Sequence, residues 1–144
     1  MKRHRILITD DNEENRYFLR ALLQGSGYEV ALATHGADAL SQARQRKPDL
    51  IVADIFMPVM DGFTLCREWK KDESLRSVPF LFYTATYTDD RDIDFALSLG
   101  ADAFIAKPAE PDVLLEKIKA ILQNGHEQKP SDIPDPQEEA FLRQ

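Results

Sequence analysis

The central segment of the chain is formed by residues 50–62, with the sequence LIVADIFMPVMDG. Its first four residues, Leu50–Ala53, are all apolar, which predicts a strand buried on both faces in the middle of a parallel sheet. The strand ends at a carboxylate, Asp54, and Pro58 and Gly62 then predict a turn before the next helix. Ligands of open α/β sheets bind at the carboxyl ends of the strands, so Asp54 is a candidate site residue.

Strands and helices alternate on both sides of this segment. The predicted strands span residues 5–9, 28–33, 50–53, 78–83 and 103–106. The predicted helices span residues 13–24, 36–46, 63–71, 89–99 and 111–123, and Gly25, Gly100 and Gly125 are expected to end the first, fourth and fifth. Strict alternation predicts an α/β fold, with a five-stranded parallel sheet that is doubly wound and carries helices on both faces.

The composition is typical of one water-soluble domain with a short extension. The 144 residues are 43% hydrophobic and 30% charged, and no apolar run approaches the roughly 20 residues of a membrane span. We therefore expect no membrane partner. The net charge of −7 argues against direct binding of nucleic acid. The single cysteine, Cys66, rules out an internal disulfide and predicts a cytoplasmic protein.

A change in composition marks the end of the domain. We predict one domain over residues 1–125 and, over residues 126–144, a proline-rich linker followed by the start of a truncated helix. A helix of so few residues is marginal by itself in water. The segment is therefore either a frayed terminus or a sign that the chain was excised from a longer protein.

Further polar residues stand at the carboxyl ends of predicted strands. Asp10 and Asp11 follow the first strand, Thr84 the fourth and Lys107 the fifth, so all would meet Asp54 at one edge of the sheet. Three carboxylates this close repel one another unless a cation lies between them, and oxygen ligands without His or Cys favour Mg²⁺. A carboxylate can also accept a phosphoryl group, while Mg²⁺ and an ammonium group neutralise charge on the transferring oxygens.

Each of these residues also has a simpler explanation by itself. Asp10 and Asp11 could cap the first helix, whose amino terminus favours anions. Thr84 could be an ordinary residue at a strand end, and Lys107 could lie in a solvated turn. The occurrence of all of them at matching strand ends favours a common site.

The ordered set of motifs resembles the receiver domain of response regulators, the phospho-acceptor module of two-component signalling. The matching pieces, within residues 4–124, are Asp10-Asp11, Asp54 with Met57-Pro58 and Asp61-Gly62, Thr84-Ala85, Gly100-Ala101 and Lys107-Pro108. The resemblance implies a flavodoxin-like strand order of 2-1-3-4-5. It also implies a signalling module that catalyses only its own phosphorylation and dephosphorylation, although a longer parent protein could be a hybrid sensor histidine kinase.

The resemblance implies the following roles around the acceptor. Asp54 would take the phosphoryl group. Asp11 and Asp54 would bind Mg²⁺ together with the backbone carbonyl of Phe56, and Asp10 would bind it mostly through water. The side chain of Phe56 is large and apolar for a position beside the acceptor, which bears on the rate of dephosphorylation.

Further roles follow for residues of the fourth and fifth strands. Thr84 and Lys107 would contact the phosphoryl group. Phe104 would take the aromatic switch position that changes rotamer together with Thr84, and it stands where a tyrosine is frequent. The bond between Lys107 and Pro108 is expected to be cis.

The implied partner is a histidine kinase or a phosphotransfer protein, and a homodimer through the fourth helix, fifth strand and fifth helix is a further option. Two other functions are compatible with a similar fold. A flavin-binding protein would need a phosphate-binding loop after the first strand, where Asp10 and Asp11 stand instead. A phosphohydrolase with an aspartate nucleophile usually needs a second carboxylate two residues later, where Phe56 stands.

Overall fold

A computed structural model describes residues 3–85 and 89–127 of the chain. Five strands alternate with five helices over these residues. The strands are β1 (Arg5–Thr9), β2 (Glu29–Ala33), β3 (Leu50–Ala53), β4 (Phe80–Thr84) and β5 (Ala103–Ala106). All neighbouring strands pair in parallel, in the order β2-β1-β3-β4-β5. The predicted α/β fold and strand order are confirmed.

The helices are α1 (Glu13–Gly25), α2 (Gly36–Gln45), α3 (Gly62–Lys71), α4 (Asp90–Ser98) and α5 (Pro111–Glu127). Most boundaries lie within one residue of the prediction, but α5 continues through Gly125, so the predicted stop there is wrong. A glycine costs a helix about 1 kcal/mol relative to alanine, yet it keeps its N–H and does not interrupt the hydrogen-bond ladder. Residues 126 and 127 of the predicted linker therefore belong to α5, and residues 128–144 lie outside the described residues.

Two strands begin later than predicted, because the backbone N–H groups of their predicted first residues form hydrogen bonds in the preceding turns. The N–H of Val78 donates to the carbonyl of Leu75 at 2.8 Å, and Pro79 has no N–H, so β4 begins at Phe80. The N–H of Tyr28 donates to a carbonyl at the end of α1, which delays the start of β2 in the same way.

Side-chain caps fix the starts of four helices. The capping residues each accept a hydrogen bond from the backbone N–H three positions later, and they are Asn12, His35, Asp61 and Asp89. Each cap lies in the connection that follows β1, β2, β3 or β4. The caps therefore order the loops at the carboxyl edge of the sheet.

The core consists of two apolar layers, one on each face of the sheet. On one face the alternate residues of the strands pack against α2, α3 and α4, with Trp69 and Phe80 fully buried. On the other face they pack against α1 and α5, with Leu23 and Ile118 fully buried. Since β3 contributes to both layers, all four of its residues are buried, as its unbroken apolar sequence predicts. No helix in the described part of the chain has the length and apolar character needed to cross a membrane.

Candidate functional site

The backbone of the site is an extension of the sheet. Asp10, Asp54 and Lys107 lie one residue beyond β1, β3 and β5. Each donates its N–H to the carbonyl of the last residue in a neighbouring strand, β2, β1 and β4 respectively, at 3.1, 3.0 and 2.8 Å. The main chain of these three residues is thus held as firmly as the strands themselves.

The three predicted acidic ligands come together at this edge. Asp10, Asp11 and Asp54 each place one carboxylate oxygen within 4.8 Å of the other two. Their exposure is graded, because Asp10 is 2% exposed, Asp54 is intermediate and Asp11 is open to solvent. The arrangement is a small anionic cleft that a hydrated cation can enter from the side of Asp11.

Lys107 lies between two of these carboxylates. Its Nζ atom is 2.9 Å from Oδ2 of Asp10 and 3.5 Å from Oδ2 of Asp54, and its side chain is 12% exposed. The other oxygen of Asp10 accepts the backbone N–H of Asn12 at 2.9 Å, and Oδ1 of Asp54 accepts that of Ile55 at 2.7 Å. Each carboxylate therefore has one backbone donor and shares the ammonium group.

The structure does not support the alternative explanation that Asp10 and Asp11 cap α1. The cap of α1 is Asn12, whose side-chain oxygen accepts the N–H of Asn15 at 2.9 Å. The side chain of Arg16, in the first turns of the same helix, donates to the carbonyl of Asp10 at 2.8 Å. Neither Asp10 nor Asp11 is the cap of α1, and both carboxylates lie in the cleft, where Oδ1 of Asp10 also accepts the N–H of Asn12.

The predicted switch residues lie on neighbouring strands. Thr84 is the last residue of β4 and is 0% exposed. Phe104 in β5 is partly buried, and its ring centroid is 6.1 Å from that of Phe82, its partner across the strands. The bond between Lys107 and Pro108 is cis, as the resemblance predicts.

The loop between β3 and α3 carries the acceptor and approaches its own backbone closely. The N–H of Gly62 donates to the carbonyl of Ile55 at 2.7 Å, and a Cβ atom at Gly62 would overlap the carbonyl oxygen of Asp54. The side chain of Phe56 projects outward and is 67% exposed. Coordination of a metal by the carbonyl of Phe56 stays a prediction.

Sequence reasoning missed two residues of this site, Arg16 and Tyr83. The ring of Tyr83 lies under the ammonium group of Lys107, with 5.2 Å between Nζ and the ring centroid. A signal for Arg16 was available, because it stands one helical turn after the cap of α1 and so faces the same strand end. The sequence contained no comparable signal for Tyr83, because an aromatic residue in a buried strand is normally part of the core.

The family model for the response regulator receiver domain matches residues 6–119, more than three quarters of the chain. The chain belongs to this family. As a receiver domain of two-component response regulators it is a signalling module, and such domains interact with histidine kinases or phosphotransfer proteins. The flavin-binding and phosphohydrolase alternatives are not favoured.

Individual relatives agree with the family assignment. Over 120 residues the receiver is 37% identical to protein PilH of Pseudomonas aeruginosa, with 82% of this chain and 97% of PilH covered. It is equally identical to the transcriptional regulatory protein AfsQ1 of Streptomyces coelicolor, with 83% of this chain but 52% of AfsQ1 covered. The chain thus spans about half the length of some curated relatives and nearly all of another.

A solved structure with the same fold contains a metal ion. It is the receiver domain of a sensor histidine kinase from Pseudomonas aeruginosa, with magnesium coordinated in the active site cleft. Its TM-score to this receiver is 0.78 at 30% identity, with 85% of this chain and 99% of that chain covered.

Proposed function

We propose that this receiver accepts a phosphoryl group on Asp54 from a histidine kinase or a phosphotransfer protein. The observation that carries the proposal is the geometry at the carboxyl edge of the sheet. Three carboxylates lie within 4.8 Å of one another, and the Lys107 ammonium group lies beside two of them, Asp10 and Asp54. This combination suits the transfer of an anionic group to a carboxylate.

Mg²⁺ is the cofactor that this donor set fits. Asp10, Asp11 and Asp54 would hold the ion together with the backbone carbonyl of Phe56, all of them hard oxygen ligands. Asp11 is exposed, which leaves room for the waters that Mg²⁺ retains. When bound, the ion supplies positive charge that offsets the carboxylates and the transferring oxygens. The related kinase receiver that contains magnesium supports this assignment.

The protein's own groups carry out the transfer. A carboxylate oxygen of Asp54 forms a bond to phosphorus as the bond from phosphorus to the donor breaks, and the leaving group keeps the electron pair. Oδ1 of Asp54 accepts the backbone N–H of Ile55, so Oδ2, on the side of Lys107, is the attacking oxygen. Lys107 and the hydroxyl of Thr84 then contact the oxygens of the new phosphoryl group.

The phosphorylated state is read at a surface. Thr84 and Phe104 couple Asp54 to the face formed by α4, β5 and α5, where partner binding or homodimerisation changes. The receiver catalyses only its own phosphorylation and dephosphorylation. We place this exchange in the cytoplasm, which the single free and buried cysteine supports.

The test is incubation with Mg²⁺ and a small phosphodonor, followed by intact mass measurement and peptide mapping. We expect one added phosphoryl group on Asp54, none in Asp54→Asn and none in chelator. Asp61→Asn is the matched control, because Asp61 lies in the same loop, caps α3, and asparagine caps a helix equally well. A label on another residue, or equal labelling in chelator, contradicts the proposal.

A further inference from the structure

We propose that Tyr83 is a positioning residue for Lys107, and this inference rests on the proposed function. The face of its ring holds the ammonium group beside Asp54 when a cation occupies the carboxylates. Nζ of Lys107 lies over the ring, 5.2 Å from its centroid, which is within the range of a cation–π contact.

The ring is itself held firmly. Tyr83 lies in β4, is 6% exposed, and packs in the apolar layer between the sheet and the helices α1 and α5. It directly precedes Thr84, and alternate residues of a strand point to opposite faces of the sheet. Tyr83 and Thr84 thus place an aromatic face and a hydroxyl on opposite sides of the same strand end.

Three groups of the described residues contact the ammonium group of Lys107, and a cation competes for two of them. Lys107 contacts Asp10 at 2.9 Å, Asp54 at 3.5 Å and the ring of Tyr83. Both carboxylates belong to the acidic cluster that would bind Mg²⁺, and their oxygens cannot serve the ion and the ammonium equally well. The ring is not a ligand for Mg²⁺, so this contact persists when the metal binds.

The aromatic face, and not the phenol group, carries the effect. The contact that the structure shows is between the ammonium group of Lys107 and the face of the ring. Phenylalanine would supply the same ring face at this position. Leucine would fill much of the buried space but offers no negative face to an ammonium group.

The first measurement is the NMR shift of the Lys107 ε-methylene protons, because a ring beneath them moves their resonance upfield. We expect the upfield position in the parent protein with and without Mg²⁺, its retention in Tyr83→Phe and its loss in Tyr83→Leu. The parent protein by itself can overturn the inference. It does so if the Lys107 ε-methylene protons resonate where those of a solvent-exposed lysine do, or if their upfield shift disappears when Mg²⁺ is added.

The second measurement is the rate of phosphorylation by a small phosphodonor at saturating Mg²⁺. Loss of the ring should slow Tyr83→Leu by about ten-fold, because misplacement of a reacting group by about an ångström is costly. Tyr83→Phe should rescue the rate. Tyr28→Leu is the control, since Tyr28 packs against the same apolar layer and precedes β2, at the opposite edge of the sheet.

The outcomes separate this inference from the proposed function. Parent protein that takes no phosphate defeats the proposed function, while the Lys107 shift still tests the contact. A Tyr83→Leu rate equal to the parent's, or a Tyr83→Phe rate as slow as that of Tyr83→Leu, overturns the positioning role. So does an equal slowing in Tyr28→Leu.

Discussion

At the scale of single residues, the two neighbouring aspartates of the site differ sharply. Asp10 is buried and accepts both a backbone N–H and the ammonium group of Lys107. Asp11 is exposed, and the helix that follows is capped by Asn12 instead. Asp11 therefore contributes charge to the cleft and does not cap α1, whereas Asp10 contributes charge and also binds a backbone N–H and Lys107.

The first prediction concerns Asp11→Ala. The variant should lose Mg²⁺ binding but, in chelator, gain roughly 0.2–1 kcal/mol in free energy of unfolding, because it relieves the repulsion between the exposed carboxylate of Asp11 and those of Asp10 and Asp54. Calorimetry with and without Mg²⁺ measures both effects. The control is Asn12→Ala, which removes the cap and should cost about 1 kcal/mol. An Asp11→Ala variant that is less stable than the parent in chelator would show that this residue supports the fold.

The second prediction concerns Cys66, which lies in α3 and is fully buried. Burial raises the pKa of its thiol to about 12, so the thiol stays protonated well above neutral pH. The native protein should resist iodoacetamide at pH 8, and the protein in denaturant should react fully, as measured by mass. Rapid alkylation of the native state would mean that α3 opens from the sheet.

At the scale of elements, the loop between β3 and α3 joins the acceptor to the helix that follows. Its backbone turns back on itself so closely that a Cβ atom at Gly62, the first residue of α3, would overlap the carbonyl oxygen of Asp54. The loop also contacts α2, since the N–H of Gly36 donates to the carbonyl of Met60 at 3.3 Å. Placement of Asp54 therefore depends on this packing as well as on the sheet.

The third prediction compares two glycine substitutions. Gly62→Ala should lower the free energy of unfolding by about 1–3 kcal/mol and slow phosphorylation, because the new Cβ displaces the backbone of Asp54. Gly25→Ala, at the end of α1, meets no atom within 4 Å and should be neutral or slightly stabilising. Chemical denaturation together with the labelling assay tests both variants. Equal stability of the two would disprove the close-approach argument.

At the scale of the whole molecule, β4 and β5 connect the site to the proposed output face. Thr84 ends β4 beside the acceptor, while Phe104 in β5 packs against the ring of Phe82 in the layer that α4 covers. An added phosphate carries about two negative charges and draws a neutral donor toward it. Movement of Thr84 would then allow Phe104 to turn inward.

The fourth prediction follows from that coupling. Burial of an aromatic ring is worth about 1.5–3 kcal/mol, enough to shift a nearly balanced pair of states by roughly ten-fold or more. Thr84→Ala should bind a beryllofluoride mimic at Asp54 yet fail to transmit the change to α4 and β5. Amide chemical shifts of parent and variant, with and without the mimic, measure this. If the amides of α4 and β5 shift equally in both proteins, Thr84 is not the coupling residue.

Much of this receiver was determined by the sequence alone. Apolar periodicity, caps and turn residues are local properties, so the five strands, the five helices and their parallel arrangement follow directly from it. The same logic brings Asp10, Asp11 and Asp54 together, because the carboxyl ends of parallel strands meet at one edge.

The tertiary structure alone decided which of these groups touch. Lys107 is 97 positions from Asp10 in the chain, and its place between Asp10 and Asp54 over the ring of Tyr83 depends on strand register and core packing. The close approach of Gly62 to Asp54 and the passage of α5 through Gly125 also lack a local signal. The sequence pattern predicts which face of the sheet a residue occupies. The distances between residues on that face depend on the packing of side chains that are far apart in the chain.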